Sequence, residues 1–180
     1  MEKIVVVNDT NVFIDLYNIG LLEEFFSLPW DVRTTDFVMY ELTREGQNEM
    51  VYKYKEAGKL YIPVFEPEEL AKIVAMFHEH NSQSNVSLTD CSVWYYAKTN
   101  NYVLLTGDRK LRSSSLLDGV EVHGILHVLD ILVEYGIISY FTAIKKIEQL
   151  YNTNPRLPQE EKEQRIRLWK FEIDKKGGSL

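Results

Sequence analysis

The sequence predicts an α/β fold built around a mostly parallel sheet. Strand-like apolar runs alternate with helix-like segments along most of the chain. Two of these runs, IVVV near the start and YVLL after residue 101, are apolar throughout, which is typical of strands buried on both faces. With 180 residues and 45% hydrophobic content, the chain is long enough for one cored domain with a short extension.

The elements of the first half follow in order. IVVV is predicted as the first strand, and NVFIDLYNIGLLEEFFSL is helical in pattern. DVRTTDFV is a second strand, one helix is expected near MYELTREGQNEMVYKYKEAG, and KLYIPVF is a third strand. A helix over EPEELAKIVAMFHEH, with Leu70, Ile73, Val74 and Phe77 at helical spacing, then leads into a polar loop, NSQSNVS.

A capping-box signature opens the second half, because Ser87 is followed three residues later by Asp90 at the head of LTDCSVWYYAKTN. NYVLLTGD and VEVHG are predicted strands, and ILHVLDILVEYG and SYFTAIKKIEQLYN are two helices separated at Gly136. We expect the cored domain to span residues 1–151. Residues 152–180 form a polar extension with one charged helix, which either packs back or binds a partner, and the tail KKGGSL has too little apolar content to order itself.

Composition excludes some classes of function. The formal net charge of −7 argues against a broadly basic surface for nucleic acid, although a local patch of Lys and Arg remains compatible with it. The start, MEKIVVVNDT, lacks the apolar core of a signal peptide, and no apolar tract reaches the ~20 residues of a spanning helix. Cys91 is the only cysteine, so no intrachain disulfide is expected and a cytoplasmic location is favoured.

Four carboxylates occupy sequence positions that an α/β fold can bring together at one edge of its sheet. Asp9 and Asp108 come directly after apolar runs, and Glu41 and Asp90 lie near the starts of helices. Ligands of such sheets bind beyond the carboxyl ends of the strands. Because carboxylates repel one another unless a cation lies between them, the pattern predicts a site for Mg²⁺ or Mn²⁺, which take oxygen ligands.

Each carboxylate also has a structural alternative. Asp9 and Asp108 can cap the helices that follow them, Asp90 can be the N3 member of the capping box, and Glu41 can be a solvated helix residue. Asp36 is predicted as the N-cap of the helix that carries Glu41. Capping predicts no particular arrangement of distant helices, so the four residues together favour a metal site.

These residues carry a family resemblance. The segments VVVNDTNVFIDL, DFVMYELTREG, SLTDCSVWYYAK and YVLLTGDRKLR, in this order, resemble the four acidic motifs of the PIN domain family of metal-dependent ribonucleases. The resemblance implies a three-layer α/β/α sandwich with a central, mostly parallel twisted sheet, followed by the C-terminal helical extension. It also implies an endoribonuclease that hydrolyses RNA phosphodiester bonds with Mg²⁺ or Mn²⁺ bound by Asp9, Glu41, Asp90 and Asp108.

Further expectations follow from the resemblance. Thr106 in the TGD turn is implied as a polar helper near the metal, and Asn11 as its neighbour through the DTN turn. The chain also resembles prokaryotic VapC-type toxins and PIN-like proteins predicted to bind nucleic acid. RNA, an antitoxin protein and a second copy of the chain are therefore the implied partners, with no membrane among them.

Other residues and functions remain open at this point. Arg109, Lys110 and Arg112 either contact substrate phosphates or form a solvated helix face. The aromatic run from Trp94 to Tyr96 either stacks bases or is core, and core is favoured because consecutive helical residues point in different directions. The competing functions are a PIN fold that binds RNA or protein without cleaving, and a Mg²⁺-dependent phosphotransfer or receiver domain.

Overall fold

The computed structural model describes residues 3–42 and 46–177, and these residues form five strands and ten helices. The strands are β1 (Ile4–Asn8), β2 (Trp30–Arg33), β3 (Leu60–Tyr61), β4 (Val103–Leu105) and β5 (Val122–His123). The helices are α1 (Thr10–Ile19), α2 (Leu22–Phe25), α3 (Asp36–Glu41), α4 (Gln47–Glu56), α5 (Pro67–Ser84), α6 (Leu88–Asn100), α7 (Arg109–Leu117), α8 (Ile125–Glu134), α9 (Tyr140–Thr153) and α10 (Gln159–Gly177).

All five strands are parallel and lie in the order β3-β2-β1-β4-β5. The chain builds the sheet outward from β1 to β3 and then crosses back to place β4 on the other side of β1. The strand order therefore reverses between β1 and β4, where Asn8 lies opposite Leu105. Helices flank this sheet, which confirms the predicted α/β/α architecture with a mostly parallel sheet.

The single helix expected over MYELTREGQNEMVYKYKEAG is wrong. The structure has two helices there, since α3 ends at Glu41 and α4 begins at Gln47. Gly46 precedes α4 with φ of 84°, a left-handed conformation that a continuous helix does not allow. Residues 43–45 of the predicted helix lie outside the described residues. The predicted N-cap at Asp36 is also wrong, because Thr35 is the cap and its hydroxyl accepts from Val38 N.

The polar stretch NSQS, expected to be a loop, belongs to α5 instead. This helix continues to Ser84 and ends where Asn85 adopts φ of 52°. The helical segment that follows β1 is interrupted at Gly20, whose φ is 63°, so it forms α1 and α2. Strand β1 contains the whole of IVVV, whereas β3 is shorter than predicted and keeps two residues of KLYIPVF.

Contacts between residues divide the chain into two compact units. The first unit comprises the residues up to Ile14 together with Pro29–Ile125, and it holds the whole sheet. In this unit, Trp94 and Tyr96 of α6 are buried, which confirms that the aromatic run is core. Cys91 is fully buried beside them, and burial raises the pKa of its thiol to about 12.

The second unit comprises Asp15–Leu28 and the residues from Leu126 onward. Here α10 packs on α9 through Trp169, which is 3% exposed. Arg165 of α10 also donates hydrogen bonds to both carboxylate oxygens of Asp130 in α8, at 2.8–3.0 Å. The charged C-terminal helix therefore packs back on its own unit. The domain boundary at residue 151 stays a prediction, and the last three residues of KKGGSL lie outside the described residues.

Candidate active site

The candidate site lies at the carboxyl ends of β1 and β4, where the strand order reverses. Such a reversal leaves a crevice beyond the strand ends, because the connections on its two sides run in opposite directions. Asp9 follows β1 directly, and its backbone N–H donates to the carbonyl oxygen of Leu105 at 3.0 Å. Thr106 and Asp108 follow β4, so both strand ends deliver polar side chains to the same edge.

Asp9 is the buried centre of this site. Its carboxylate is 2% exposed and accepts hydrogen bonds from Thr10 N at 2.7 Å, Asn11 Nδ2 at 2.6 Å and Thr106 Oγ1 at 2.7 Å. Burial and the negative charges of Asp90 and Glu41 together raise the pKa of Asp9 to about 7, against the opposing effect of the hydrogen bonds from Thr106 and Thr10. The charged groups that act on the Asp9 carboxylate, among the described residues, are thus other carboxylates, which disfavour its ionised form.

Asp90 and Glu41 complete two other sides of the site. Burial raises the pKa of the Asp90 carboxyl, and the charges of Asp108 and Glu41 add to this effect. Glu41 is exposed at the end of α3, and its Oε2 accepts from the hydroxyl of Thr10 at 2.8 Å. The four predicted carboxylates thus lie close enough for their charges to act on one another.

Helix capping coexists with this cluster. The capping box of α6 is confirmed, since Asp90 Oδ2 accepts from Ser87 N at 2.7 Å and Ser87 Oγ accepts from Asp90 N at 3.0 Å. Asp108 caps α7, because its Oδ1 accepts from the backbone N–H groups of Lys110 and Leu111. In the backbone bonds of these caps, each carboxylate uses one of its two oxygens.

The donor chemistry of the site fits a hard divalent cation. Carboxylate oxygens, together with water, are the ligands that Mg²⁺ and Mn²⁺ prefer, and a cation would offset the repulsion between carboxylates that contributes to the raised pKa values of Asp9 and Asp90. In the conformers present, however, the described residues contain no group of three or more Asp, Glu, His or Cys side chains placed to hold a metal ion.

Two residues that the sequence analysis did not single out fix the geometry of the two strand ends. Thr10 joins Glu41 to the site through its hydroxyl. Gly107 N donates to Asn11 Oδ1 at 2.6 Å, and a Cβ at Gly107 would lie 3.0 Å from that oxygen, tighter than ordinary contacts. Glycine avoids this tight contact, which a larger residue could relieve only by a shift of the Asn11 side chain. Thr10 belongs to the DTN motif and Gly107 to the TGD motif, but the tertiary structure determines their hydrogen-bond partners.

The three basic residues beyond Asp108 take different positions. Arg109 and Lys110 are exposed on the first turn of α7. Arg112 is half-buried, and a Cβ at Gly124 would lie 3.9 Å from its Nη1 and 3.3 Å from the carbonyl oxygen of Thr106. The guanidinium of Arg112 therefore lies on the β5 side of the strand ends that carry the acidic residues.

The site and its sheet match a known family. A family model described as PIN domain (DUF3368) covers residues 5–171. The chain belongs to the PIN domain family. The match extends through most of α10, so the family pattern includes the C-terminal helix of this PIN domain protein. No curated protein matches the chain.

Solved structures resemble this PIN domain protein in fold. The structure of PAE2754 from Pyrobaculum aerophilum is 15% identical, covers 74% of this chain and 99% of its own, and gives a TM-score of 0.53. VapBC2 from Rickettsia felis, bound to a DNA fragment from its promoter, is 15% identical over 67% of this chain and 98% of its own, with a TM-score of 0.48. FitAcB from Neisseria gonorrhoeae is 16% identical over 68% of this chain and 99% of its own, with a TM-score of 0.43. At these identities the similarity concerns the fold alone.

Proposed function

We propose that this PIN domain protein is a Mg²⁺- or Mn²⁺-dependent endoribonuclease. The observation that carries the proposal is the buried Asp9 carboxylate at the strand-order reversal, whose pKa is raised to about 7 by burial and by the charges of Asp90 and Glu41. A site that concentrates negative charge in this way favours a divalent cation. Membership of the family adds support, because PIN domains are generally nucleases.

Each residue of the site has a proposed role. Asp9, Asp90 and Asp108 would hold the cation, and Glu41, the exposed member, would bind it through water or orient the attacking water. Divalent metal ions of this kind lower the pKa of a bound water and neutralise charge that develops on a phosphate. Thr106 and Asn11 hold the Asp9 carboxylate in place by hydrogen bonds. No protein nucleophile is required.

The proposal has a pH dependence with a definite sign. A cation competes with the proton for the Asp9 carboxylate, whose pKa is raised to about 7. Metal affinity should therefore be highest above pH 7 and fall as the pH is lowered through 7. Arg112, whose Nη1 lies near Gly124, would contact a substrate phosphate, and the exposed Arg109 and Lys110 would add weaker contacts.

The test compares cleavage of single-stranded RNA by the wild type and by Asp9→Asn, with and without Mn²⁺. We expect the wild type to cleave RNA when Mn²⁺ is present and not when it is absent, and Asp9→Asn to cleave under neither condition. Calorimetry should detect Mn²⁺ binding to the wild type and none to Asp9→Asn. Asp174→Asn is the matched control, because it removes an exposed carboxylate of α10 and should change neither result.

The outcome also separates the competing functions. Undiminished cleavage by Asp9→Asn, with contaminating nuclease excluded, would refute the proposal. RNA binding without cleavage, equal in both proteins, would favour a binding module. An aspartyl-phosphate trapped on Asp9 would favour a phosphotransfer or receiver domain.

A toxin role with an antitoxin partner is a finer proposal that rests on the family resemblance. It would be tested by the neighbouring reading frames on the chromosome, since a small frame encoding a DNA-binding fold is expected beside a toxin gene. Homodimer formation and a cytoplasmic location likewise stay predictions. The described residues contain no helix long and apolar enough to cross a membrane.

A further inference from the structure

A cavity of 410 Å³ adjoins the acidic cluster on the side of α3. Its lining residues are Asp36, Phe37, Tyr40, Glu41 and Thr89, and it is called the α3 pocket below. Glu41 belongs both to this pocket and to the acidic cluster, and Thr89 directly precedes Asp90 on α6. Anything bound in the α3 pocket would therefore lie next to a group bound at the cluster.

Two aromatic side chains shape the α3 pocket. Phe37 and Tyr40 are three residues apart on a helix, so they lie on the same side of α3. Tyr40 is 89% exposed, and Phe37 is half-buried, whereas Val38 and Met39 face the core. An exposed aromatic pair on one helical face offers flat apolar surfaces, on which nucleobases stack without regard to sequence.

The charges of the α3 pocket select which part of a nucleic acid it can hold. Its charged lining groups are the carboxylates of Asp36 and Glu41, and none of its described lining residues is basic. A phosphate would be repelled there. A base is uncharged, and its exocyclic amino and ring N–H groups can donate hydrogen bonds to a carboxylate such as Asp36.

We propose that the α3 pocket holds one unpaired nucleobase of the substrate, beside the phosphodiester that is cleaved, with the base stacked on Tyr40 and Phe37. This inference rests on the proposed ribonuclease function and names the part of the substrate that the protein reads. The base must be unpaired, because a base within a duplex has both faces stacked on its neighbours. The substrate class is therefore single-stranded RNA.

The first experiment maps the bond that the wild type cleaves in a short single-stranded RNA with Mn²⁺. Substrates that lack the base on either side of this bond are then compared with the complete RNA, for the wild type and for Tyr40→Ala. Removing one stacked base should lower kcat/KM roughly 5- to 150-fold, mainly through KM. Tyr40→Ala should cause a loss of the same size on the complete RNA.

The decisive measurement combines Tyr40→Ala with the RNA that lacks the base. If the base stacks on Tyr40, Tyr40→Ala should cause almost no further loss on the RNA that lacks this base. Tyr40→Phe keeps an aromatic face and should retain activity. Phe141→Ala, which removes another exposed aromatic residue, on α9, should leave cleavage unchanged. Losses that multiply, or unchanged cleavage of the complete RNA by Tyr40→Ala, would overturn the proposal.

The failure of this inference can be distinguished from the failure of the ribonuclease function. If the wild type cleaves no RNA with Mn²⁺, the ribonuclease proposal fails and the pocket is tested by binding instead. Single strands carrying 2-aminopurine lose fluorescence when this base stacks on an aromatic ring. Quenching by the wild type that Tyr40→Ala abolishes would support the pocket as a base site, and equal fluorescence with both proteins would refute it.

Discussion

Two carboxylates of the acidic cluster are also helix caps. Asp90 Oδ2 accepts from Ser87 N at the start of α6, and Asp108 Oδ1 accepts from Lys110 N and Leu111 N at the start of α7. A cap and a metal ligand are therefore compatible on the same side chain, and the sequence alone could not choose between them. The cap also positions the carboxylate, because it fixes the side chain at the start of its helix.

The hydroxyl of Thr106 is one of the hydrogen-bond links between the two strand ends. It donates to Asp9 Oδ2 and accepts from Asp108 N at 3.0 Å, with the side chain 1% exposed. Thr106→Val keeps the shape but leaves both buried groups without this partner, so we expect a loss of about 1–3 kcal/mol in the free energy of unfolding. Chemical denaturation measures this loss.

Thr106→Ser is the matched control for this prediction, because it keeps the hydroxyl. We expect Thr106→Val to lose Mn²⁺ affinity as well as stability, and Thr106→Ser to recover most of both. Equal Mn²⁺ affinity in Thr106→Val and the wild type would contradict a positioning role for this hydroxyl.

Asp15 gives a pH-dependent prediction away from the candidate site. Its side chain is buried, it accepts from Asn154 Nδ2 at 3.2 Å, and burial raises its pKa to about 6. Because the folded pKa lies above the unfolded value, the stability due to protonated Asp15 is present at pH 3.8 and below, and it is lost as the pH rises towards 6. Asp15→Asn should therefore stabilise the protein by about 1–3 kcal/mol at pH 7.5 and give no such gain at pH 3.5.

Unfolding curves of the wild type and Asp15→Asn at both pH values measure this difference. An effect of the same size at pH 3.5 and pH 7.5 would mean that ionisation of Asp15 is not its cause.

At the scale of elements, the sequence predicted the helices best where hydrophobic spacing and caps agreed. The Ser87–Asp90 capping box and the break between α8 and α9 near Gly136 were both predicted. The break between α3 and α4 was not, because the segment from Met39 to Gly58 contains no proline and its glycine at residue 46 is compatible with a weak helix. The left-handed φ of Gly46 is a property of the folded backbone and cannot be read from the sequence.

The C-terminal helix provides a prediction at the scale of an element. Trp169 is the buried anchor of α10, whereas Leu168 beside it is 57% exposed. Trp169→Ala should destabilise the protein by about 3–5 kcal/mol or release α10 from its unit, because a large buried side chain is lost. Leu168→Ala should change stability by less than about 0.5 kcal/mol.

Limited proteolysis tests this prediction together with unfolding curves. Cleavage within α10 should become faster in Trp169→Ala and stay unchanged in Leu168→Ala. A stable Trp169→Ala protein with no new cleavage in α10 would contradict the anchoring role.

At the scale of the whole molecule, a chain with a net charge of −7 has to bind a polyanion through a few local cations. If Arg109, Lys110 and Arg112 each contact one phosphate, a plot of log affinity against log salt concentration should have a slope of about −2 for single-stranded RNA. The measurement uses Asp9→Asn, so that the RNA stays intact.

Changing all three cations to Ala should flatten this slope towards zero, because no counterions would be released. Lys72→Ala, an exposed cation of α5, is the control and should leave the slope unchanged. A slope that stays near −2 in the triple variant would place the phosphate contacts elsewhere on the molecule.

The sequence predicted the fold class and the positions of the acidic residues at strand ends and helix ends, because these are local features, while their role as metal ligands stays a prediction. It did not predict the contacts that connect them. The hydrogen bond from Thr10 to Glu41 and the close approach of Gly107 to Asn11 join residues far apart in the chain. Such contacts depend on the strand order, which no local pattern determines.

The crossing from β3 back to β4 has a consequence for when the site can exist during synthesis. Thr106 and Asp9 are 97 positions apart, and β4 pairs with β1 after the intervening chain has been made. A ribosome-bound chain that ends before β4 can form the β1–β2 pair but lacks two of the four carboxylates, or one if α6 has emerged. The site is thus absent from a chain that ends before β4, so under the proposed function a nascent protein would not cut RNA while this region is still being translated.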